Sequence, residues 1–189
     1  MSTQCYKIAD CASFRKTSEQ FGALSNMCRG FPLVIDGKTV WSSEALYQSY
    51  KFPDEPVIRD AILRERNPKY AKNIAERYAG IARRDWKTVR VTMMWRALGR
   101  KVRQHPDAIR AILQLTGDNP IVEDSPWDTF WGCERVGDNF VGENVLGRLW
   151  MIMRTMVMTS DLSMEMPPPF VIDDMLAEIV AGEDDAKSV

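Results

Sequence analysis

Four prolines bound what the middle of this chain can fold into. Pro53, Pro56, Pro68 and Pro106 each punctuate a helical pattern, because proline lacks a backbone N–H and suits a helix only in its first turn. Pro56 and Pro68 fit first helical positions, the second behind Asn67 as cap, and Pro106 opens a helix after His105. The pattern predicts helices over 56–66, from 68 to near Gly80, and over 106–115, stopped by Gly117. Asp85 caps one more, running from Trp86 towards His105, with Trp86, Val89, Met93, Leu98 and Val102 as its apolar stripe. Before Pro53, residues 31–35, Asp36-Gly37 and 38–41 spell a β-hairpin, since both turn positions need positive φ and Asp-Gly accepts it.

That hairpin feeds directly into Ser42-Ser43-Glu44-Ala45-Leu46-Tyr47-Gln48-Ser49-Tyr50-Lys51-Phe52. Ser42 or Ser43 can cap a helix that Pro53 ends. On that helix Glu44, Gln48 and Lys51 fall within about 60° of one another, with Tyr47 at the border. A carboxylate, an amide, an amine and a phenol thus share one face. Such a face suits chemistry, and taken alone it equally suits solvent.

The formal net charge of −1 conceals an asymmetry. Residues 59–110 hold 15 Lys and Arg against 5 Asp and Glu, whereas residues 111–189 hold 4 against 15. A basic middle suits a phosphate-bearing ligand or nucleic acid, or else helix surfaces that simply face water. Cys5, Cys11, Cys28 and Cys133 form no C-x-x-C pair, so reduced thiols and a cytoplasmic location are expected, and a zinc site is not. His105, the single histidine, argues against a multi-histidine metal centre. No run approaches the roughly 20 apolar residues of a bilayer span, and no secretory leader is evident, so no membrane partner is expected.

Elsewhere the signals are shorter. Residues 1–20 predict at most one short strand. Residues 21–27 read as a loop that could approach a ligand closely at Gly22. Trp86, flanked by Arg83, Arg84, Asp85 and Lys87, suits an exposed stacking role. Residues 121–123 predict a strand. The loop that follows carries Trp127, Asp128, Phe130 and Trp131, able either to stack a planar base or to plug a core. Residues 137–142 read as a turn, and Asn144 opens an apolar helix to Met158 whose first turn offers N–H groups to an anion. From 160 to 189 the chain is acidic, broken by Pro167-Pro168-Pro169, and reads as a docking or disordered tail with a short helix over 172–180. The domain proper is expected over 1–159.

Four stretches carry a family likeness: Phe21-Gly22-Ala23-Leu24-Ser25-Asn26, Ser43-Glu44-Ala45-Leu46-Tyr47-Gln48 with Lys51-Phe52, Asp128-Thr129-Phe130-Trp131-Gly132, and Gly142-Glu143-Asn144-Val145-Leu146-Gly147-Arg148. In order and spacing they resemble the NADAR family, the YbiA-like N-glycosidases, over roughly residues 20–156. The resemblance implies a single compact, mostly helical α+β domain with a small β-hairpin or sheet. It implies hydrolysis of an N-glycosidic bond, on ribosylaminopyrimidine phosphates of riboflavin synthesis or on ADP-ribosylated guanine in nucleic acid. The implied partner is a phosphorylated nucleoside or ADP-ribose-type substrate, with DNA carrying such bases as a further one; no cofactor is implied. Carried over, Glu44 matches the family's active-site glutamate. Asn26, Trp86, Asp128 and Trp131 match pocket residues, and Gln48, Gly132 and Asn144 stand in the matching stretches as substrate-binding candidates. Lys51 matches a lysine proposed to form a Schiff base, with Lys72 as the alternative. Ala45 departs from the His often found there, which loosens the subgroup.

The chemistry agrees. Breaking a ribosyl C–N bond builds positive charge on the sugar, which Glu44 or Asp128 can stabilise. An amine attacking C1 splits the reaction into two easier steps. A non-catalytic ADP-ribose or nucleotide module, and a nucleic-acid binder using the basic helices, are the competing readings.

Overall fold

A computed structural model describes residues 3–159. The tail and its helix over 172–180 lie outside the described residues. Backbone contacts divide the chain into two compact units: residues 16–112, and the flanking residues before 16 and after 112.

In chain order the flanking unit begins with β1 (Gln4–Lys7) and β2 (Ala12–Phe14). The inner unit then holds the hairpin β3 (Leu33–Ile35) and β4 (Lys38–Val40), followed by α1 (Ser43–Ser49), α2 (Pro56–Arg64), α3 (Pro68–Arg77) and α4 (Trp86–Gln104). Helix α5 (Pro106–Leu115) leads out of it. The flanking unit resumes with β5 (Ile121–Glu123), β6 (Glu134–Val136), β7 (Asn139–Gly142) and α6 (Val145–Met158). This α+β architecture has its helices where proline and cap residues set them.

Within the inner unit, Asp36 (φ 49°) and Gly37 (φ 74°) make the tight turn, and Leu33 pairs with Val40. Helix α1 packs against α2, α3, α4 and β4. Enclosed by those neighbours, all seven of its residues are buried, polar ones included. A solvated face is therefore not what Glu44 and Gln48 occupy. Leu46, Phe52, Ile62, Ala71, Trp95 and Leu98 fill the surrounding core.

In the flanking unit, β1 pairs antiparallel with β7, which pairs with β6, and β2 runs parallel to β5. The stretch expected as a turn over 137–142 is instead most of a second hairpin: only Gly137 (φ 57°) and Asp138 turn, and residues 139–142 form β7. Helix α6 packs on β5, and the close approach needs Gly147, where a Cβ would collide with the Ile121 carbonyl. Among the described residues no helix is long and apolar enough to cross a membrane.

Candidate active site

Helix α1 starts cleanly. Ser42 is its cap, with Oγ accepting the Ala45 N–H at 3.1 Å. The Glu44 N–H is taken by the Asn26 carbonyl at 3.1 Å, which ties the 21–26 loop to the helix. Glu44 is 7% exposed. Gln48, one turn on, donates from Nε2 to Glu44 Oε1 at 2.7 Å. Burial pushes the Glu44 carboxyl above the usual carboxylate range. The Gln48 hydrogen bond and the charges of Lys72 and Lys51 oppose that rise, while Glu76 adds to it.

Lys51 sits just past α1, in a turn closed by its N–H on the Gln48 carbonyl at 3.2 Å. Its carbonyl accepts the Arg83 N–H at 2.8 Å, anchoring the turn to the approach to α4. Half-burial lowers its amine below the usual lysine range; Glu44 and Glu76 pull it up, and Lys72 pushes it down. The ammonium lies 5.4 Å from the Trp86 ring, which itself meets Tyr47 at 5.1 Å between centroids. Trp86 is thus half-buried against Tyr47 and Lys51 instead of standing free. Asp85 precedes α4 as expected, but its carboxylate takes a two-point ion pair from Arg83 at 2.6 and 2.8 Å and makes no cap bond. Lys72, on α3, is 46% exposed and 3.9 Å from Glu76.

Three buried polar atoms near α1 have no hydrogen-bond partner: Asn26 Oδ1, Ser43 Oγ and Gln48 Oε1. Leaving such an atom unmet costs about 1–3 kcal/mol. Two of them are amide oxygens, which accept only, so what satisfies them must donate, as sugar hydroxyls and base amines do. Asn26 directs its Nδ2 to the weakly accepting Met94 sulfur at 2.8 Å.

The loop bearing Asn26 is held from beneath by Lys101, a residue that sequence reading passed over. Lys101 is fully buried, donates to the carbonyls of Ala23 (2.5 Å) and Ser25 (3.1 Å), and lies 5.0 Å from the Phe31 ring. Burial pushes its amine down to about 8. Glu76 was also missed, although its spacing of four from Lys72 on a predicted helix was a readable sign.

Asp128, Trp131, Gly132 and Asn144 belong to the flanking unit, where they form one loop-to-helix junction. Asp128 Oδ1 accepts the Trp131 N–H at 3.0 Å, and Trp131 stands edge-on to Phe130 at 4.9 Å. Gly132 is where the chain passes too close for a side chain: a Cβ would sit 2.5 Å from the Glu123 carbonyl. Asn144 is fully buried in the left-handed region (φ 51°), with Nδ2 donating to the Ile121 carbonyl at 2.8 Å and Oδ1 accepting the Glu123 N–H at 3.4 Å. The N–H groups of Val145 and Leu146 go to the Phe130 and Trp131 carbonyls at 3.0 Å each. These two first-turn donors, expected to meet an anion, are therefore engaged within the unit. Among the described residues no three His, Cys, Asp or Glu side chains gather as metal ligands would, and all four cysteines are free thiols.

Comparison with known proteins follows the same lines. The family profile described as the NADAR domain matches residues 13–158. The chain is 35% identical over 142 residues to the N-glycosidase YbiA of Shigella boydii serotype 4 (strain Sb227), covering 75% of this chain and 85% of that one. It is 32% identical over 159 residues to the chloroplastic riboflavin biosynthesis protein PYRR of Zea mays, which covers 77% of this chain but 25% of that protein. The solved NMR structure of Escherichia coli YbiA superposes with a TM-score of 0.68 at 33% identity, covering 81% of this chain and 88% of that one.

Proposed function

From the premise that the chain belongs to the NADAR domain family and is an N-glycoside hydrolase, we propose that it cleaves the bond joining a base to a ribose phosphate or ADP-ribose, in the cytoplasm, with Glu44 and Lys51 as the reacting pair. The observation that carries this reading is one buried carboxyl with its proton affinity raised, hydrogen-bonded to Gln48, acting on an amine whose proton affinity is lowered. The two shifts bring an acid and a nucleophile towards the same working range.

The steps balance as follows. The neutral Lys51 amine attacks the sugar C1, the C1–N bond breaks with its electrons going to the base nitrogen, and Glu44 gives that nitrogen a proton. The attacking nitrogen sheds one proton, the sugar ring opens with a proton on its oxygen, and a protonated C1=Nζ imine remains. Water adds to C1 as Glu44 takes back a proton, and the C1–Nζ bond then breaks to restore the amine and release the sugar. Asn26 and Gln48 accept from the sugar hydroxyls or base amines, and Trp86 backs the reacting amine. Asp128 and Trp131 remain candidates for charge stabilisation and stacking.

Two measurements test this. Wild type is incubated with ribosylaminopyrimidine phosphate and, separately, with ADP-ribosylated guanine DNA, and the products are weighed by mass spectrometry. Borohydride added during turnover is expected to leave a sugar adduct on Lys51, with Lys51→Met lowering the rate by about a thousand-fold. An adduct on Lys72 moves the nucleophile to α3; ADP-ribose binding without any product makes the chain a binding module.

The pH profile is a further expectation. Rate should rise with pH through the raised midpoint of Glu44 and fall through the lowered midpoint of Lys51, a plateau narrower than unperturbed groups would give. The same shape arises whichever partner carries the shared proton. Limbs at the ordinary carboxylate and lysine values would remove these two groups from the rate.

A further inference from the structure

A cavity of about 560 Å³ lies beside α3, lined among others by Thr17, Met27, Arg29, Lys69, Lys72 and Glu76. Two features join it to the Glu44 site. Asn26 holds the Glu44 N–H, and Met27 and Arg29 follow it directly into the cavity wall. Lys72 and Glu76 line the cavity and both act electrostatically on Glu44.

Its charge is lopsided. Arg29, Lys69 and Lys72 face a single acid, Glu76, and that acid engages only Lys72, at 3.9 Å. Arg29 and Lys69 make no ion pair among the described residues. A second cavity, of about 490 Å³, offers the contrast: Arg83 and Arg84 meet Asp54, Glu55 and Asp85 there, and Arg83 is already held by Asp85 at two points. Of these two cavities, only the first has a lining in which cations outnumber acids. Nor does the start of α3 supply its donors, because Asn67 accepts the Lys69 N–H through its side chain and those of Tyr70 and Ala71 through its carbonyl. An anion there must be held by side chains.

We propose that Arg29 and Lys69 form the subsite for the phosphoryl group on C5 of the substrate's ribose, with Lys72 bridging from that group to the reacting centre. The proposal rests on the reading of Glu44 and Lys51 as the site of C–N cleavage. With C1 at Lys51, the cavity reached through Asn26, Met27 and Arg29 is the space the proposal gives to the sugar's far end. Guanidinium and ammonium together match a phosphate monoester, or the nearer phosphate of a diphosphate, by charge-assisted hydrogen bonds. Specificity for phosphorylated ribosides then comes from two exposed side chains, not from the buried pair.

The test uses ribose, ribose 5-phosphate and ADP-ribose as calorimetric probes of wild type and the double variant Arg29→Ala with Lys69→Ala. Wild type should bind ribose 5-phosphate at least ~30-fold tighter than ribose, and the double variant should lose most of that preference. A parallel loss for ADP-ribose assigns the same subsite to the diphosphate; a loss confined to ribose 5-phosphate assigns it to the monoester. A double variant that binds ribose 5-phosphate as wild type does overturns the proposal, and retained helical circular dichroism guards against misfolding. Activity separates the two readings. If wild type cleaves no N-riboside yet needs Arg29 and Lys69 to bind ribose 5-phosphate, the subsite stands and the cleavage reading falls. If it cleaves, and the ratio of KM values for phosphorylated and dephosphorylated substrate is the same in both proteins, the subsite falls and cleavage stands.

Discussion

Glu44→Gln is expected to lower turnover by about a thousand-fold or more while making the protein more resistant to heat at neutral pH. The amide keeps the shape of the side chain and still accepts from Gln48 Nε2, so packing within α1 is retained. What it loses is the proton and the charge. The thermal effect follows from the sign of the shift. The carboxyl's midpoint in the folded chain lies above its value in the unfolded chain, with burial as the main cause. Stability from such a group is complete below the unfolded midpoint and is lost as pH rises through the folded one. At pH 7, above the unfolded midpoint, wild type has therefore given up stability that the neutral variant keeps. Calorimetric melting at pH 7 and pH 5, beside kcat, checks both halves: the variant should melt higher at pH 7, with the gap narrowing at pH 5. A variant that is slow and also melts several degrees lower at pH 7 would make Glu44 a structural residue.

Lys101→Met tests the support under the site. Two opposing terms decide its stability at pH 7. Removing the ammonium relieves a desolvation cost of about 3 kcal/mol, the size of a fall from 10.5 to about 8 at 1.36 kcal/mol per unit. It also strands the Ala23 and Ser25 carbonyls, at roughly 1–3 kcal/mol each, and removes the contact with Phe31. The relief offsets much of that loss, so the variant should fold with a net cost of at most a few kcal/mol, on the order of one stranded carbonyl. Its 21–26 loop loses its anchor, however, and with it the carbonyl that fixes Glu44; a misplacement of that kind costs about a hundred-fold in rate. The pH dependence carries the sharper signature. A lysine whose folded midpoint is depressed gives wild type a stability gain as pH climbs from about 8 to 10.5, because the unfolded chain binds more protons across that window. Urea unfolding at pH 7 and pH 10 should show wild type gaining about 2.5 kcal/mol relative to the variant. Parallel behaviour of the two proteins would mean that Lys101 reaches solvent.

The parts of this architecture legible in the sequence are those set by local chemistry. Pro56, Pro68 and Pro106 each begin a helix, Asp36-Gly37 turns the hairpin, Ser42 caps α1, and α6 begins and ends where its apolar run does. The parts that escaped depend on partners far along the chain. Residues 139–142 look like a turn until β1 pairs with them, and β2 is defined by its parallel neighbour β5. Lys101 stands among Arg100 and Arg103 in a helix, so nothing local distinguishes the one that turns inward. At the candidate site, the shared face of Glu44 and Gln48 was readable from helical spacing, whereas its burial needed α2, α3 and α4 around it. The cationic cavity was unreadable for the same reason: Arg29 and Lys69 are separated by the hairpin and two helices.

The flanking unit draws its strands from both ends of the described chain, and this orders events during synthesis. β1 and β2 leave the ribosome before the inner unit, but their partners β7 and β5 follow only after the whole of the inner unit has been made. The inner unit's own pairings are between near neighbours, which close quickly, while the flanking pairings carry the entropy of a long closed loop. The helix bearing Glu44 can therefore be enclosed while β1 and β2 still wait for their mates, so the strands exposed longest to misassociation lie outside the unit that holds Glu44 and Lys51.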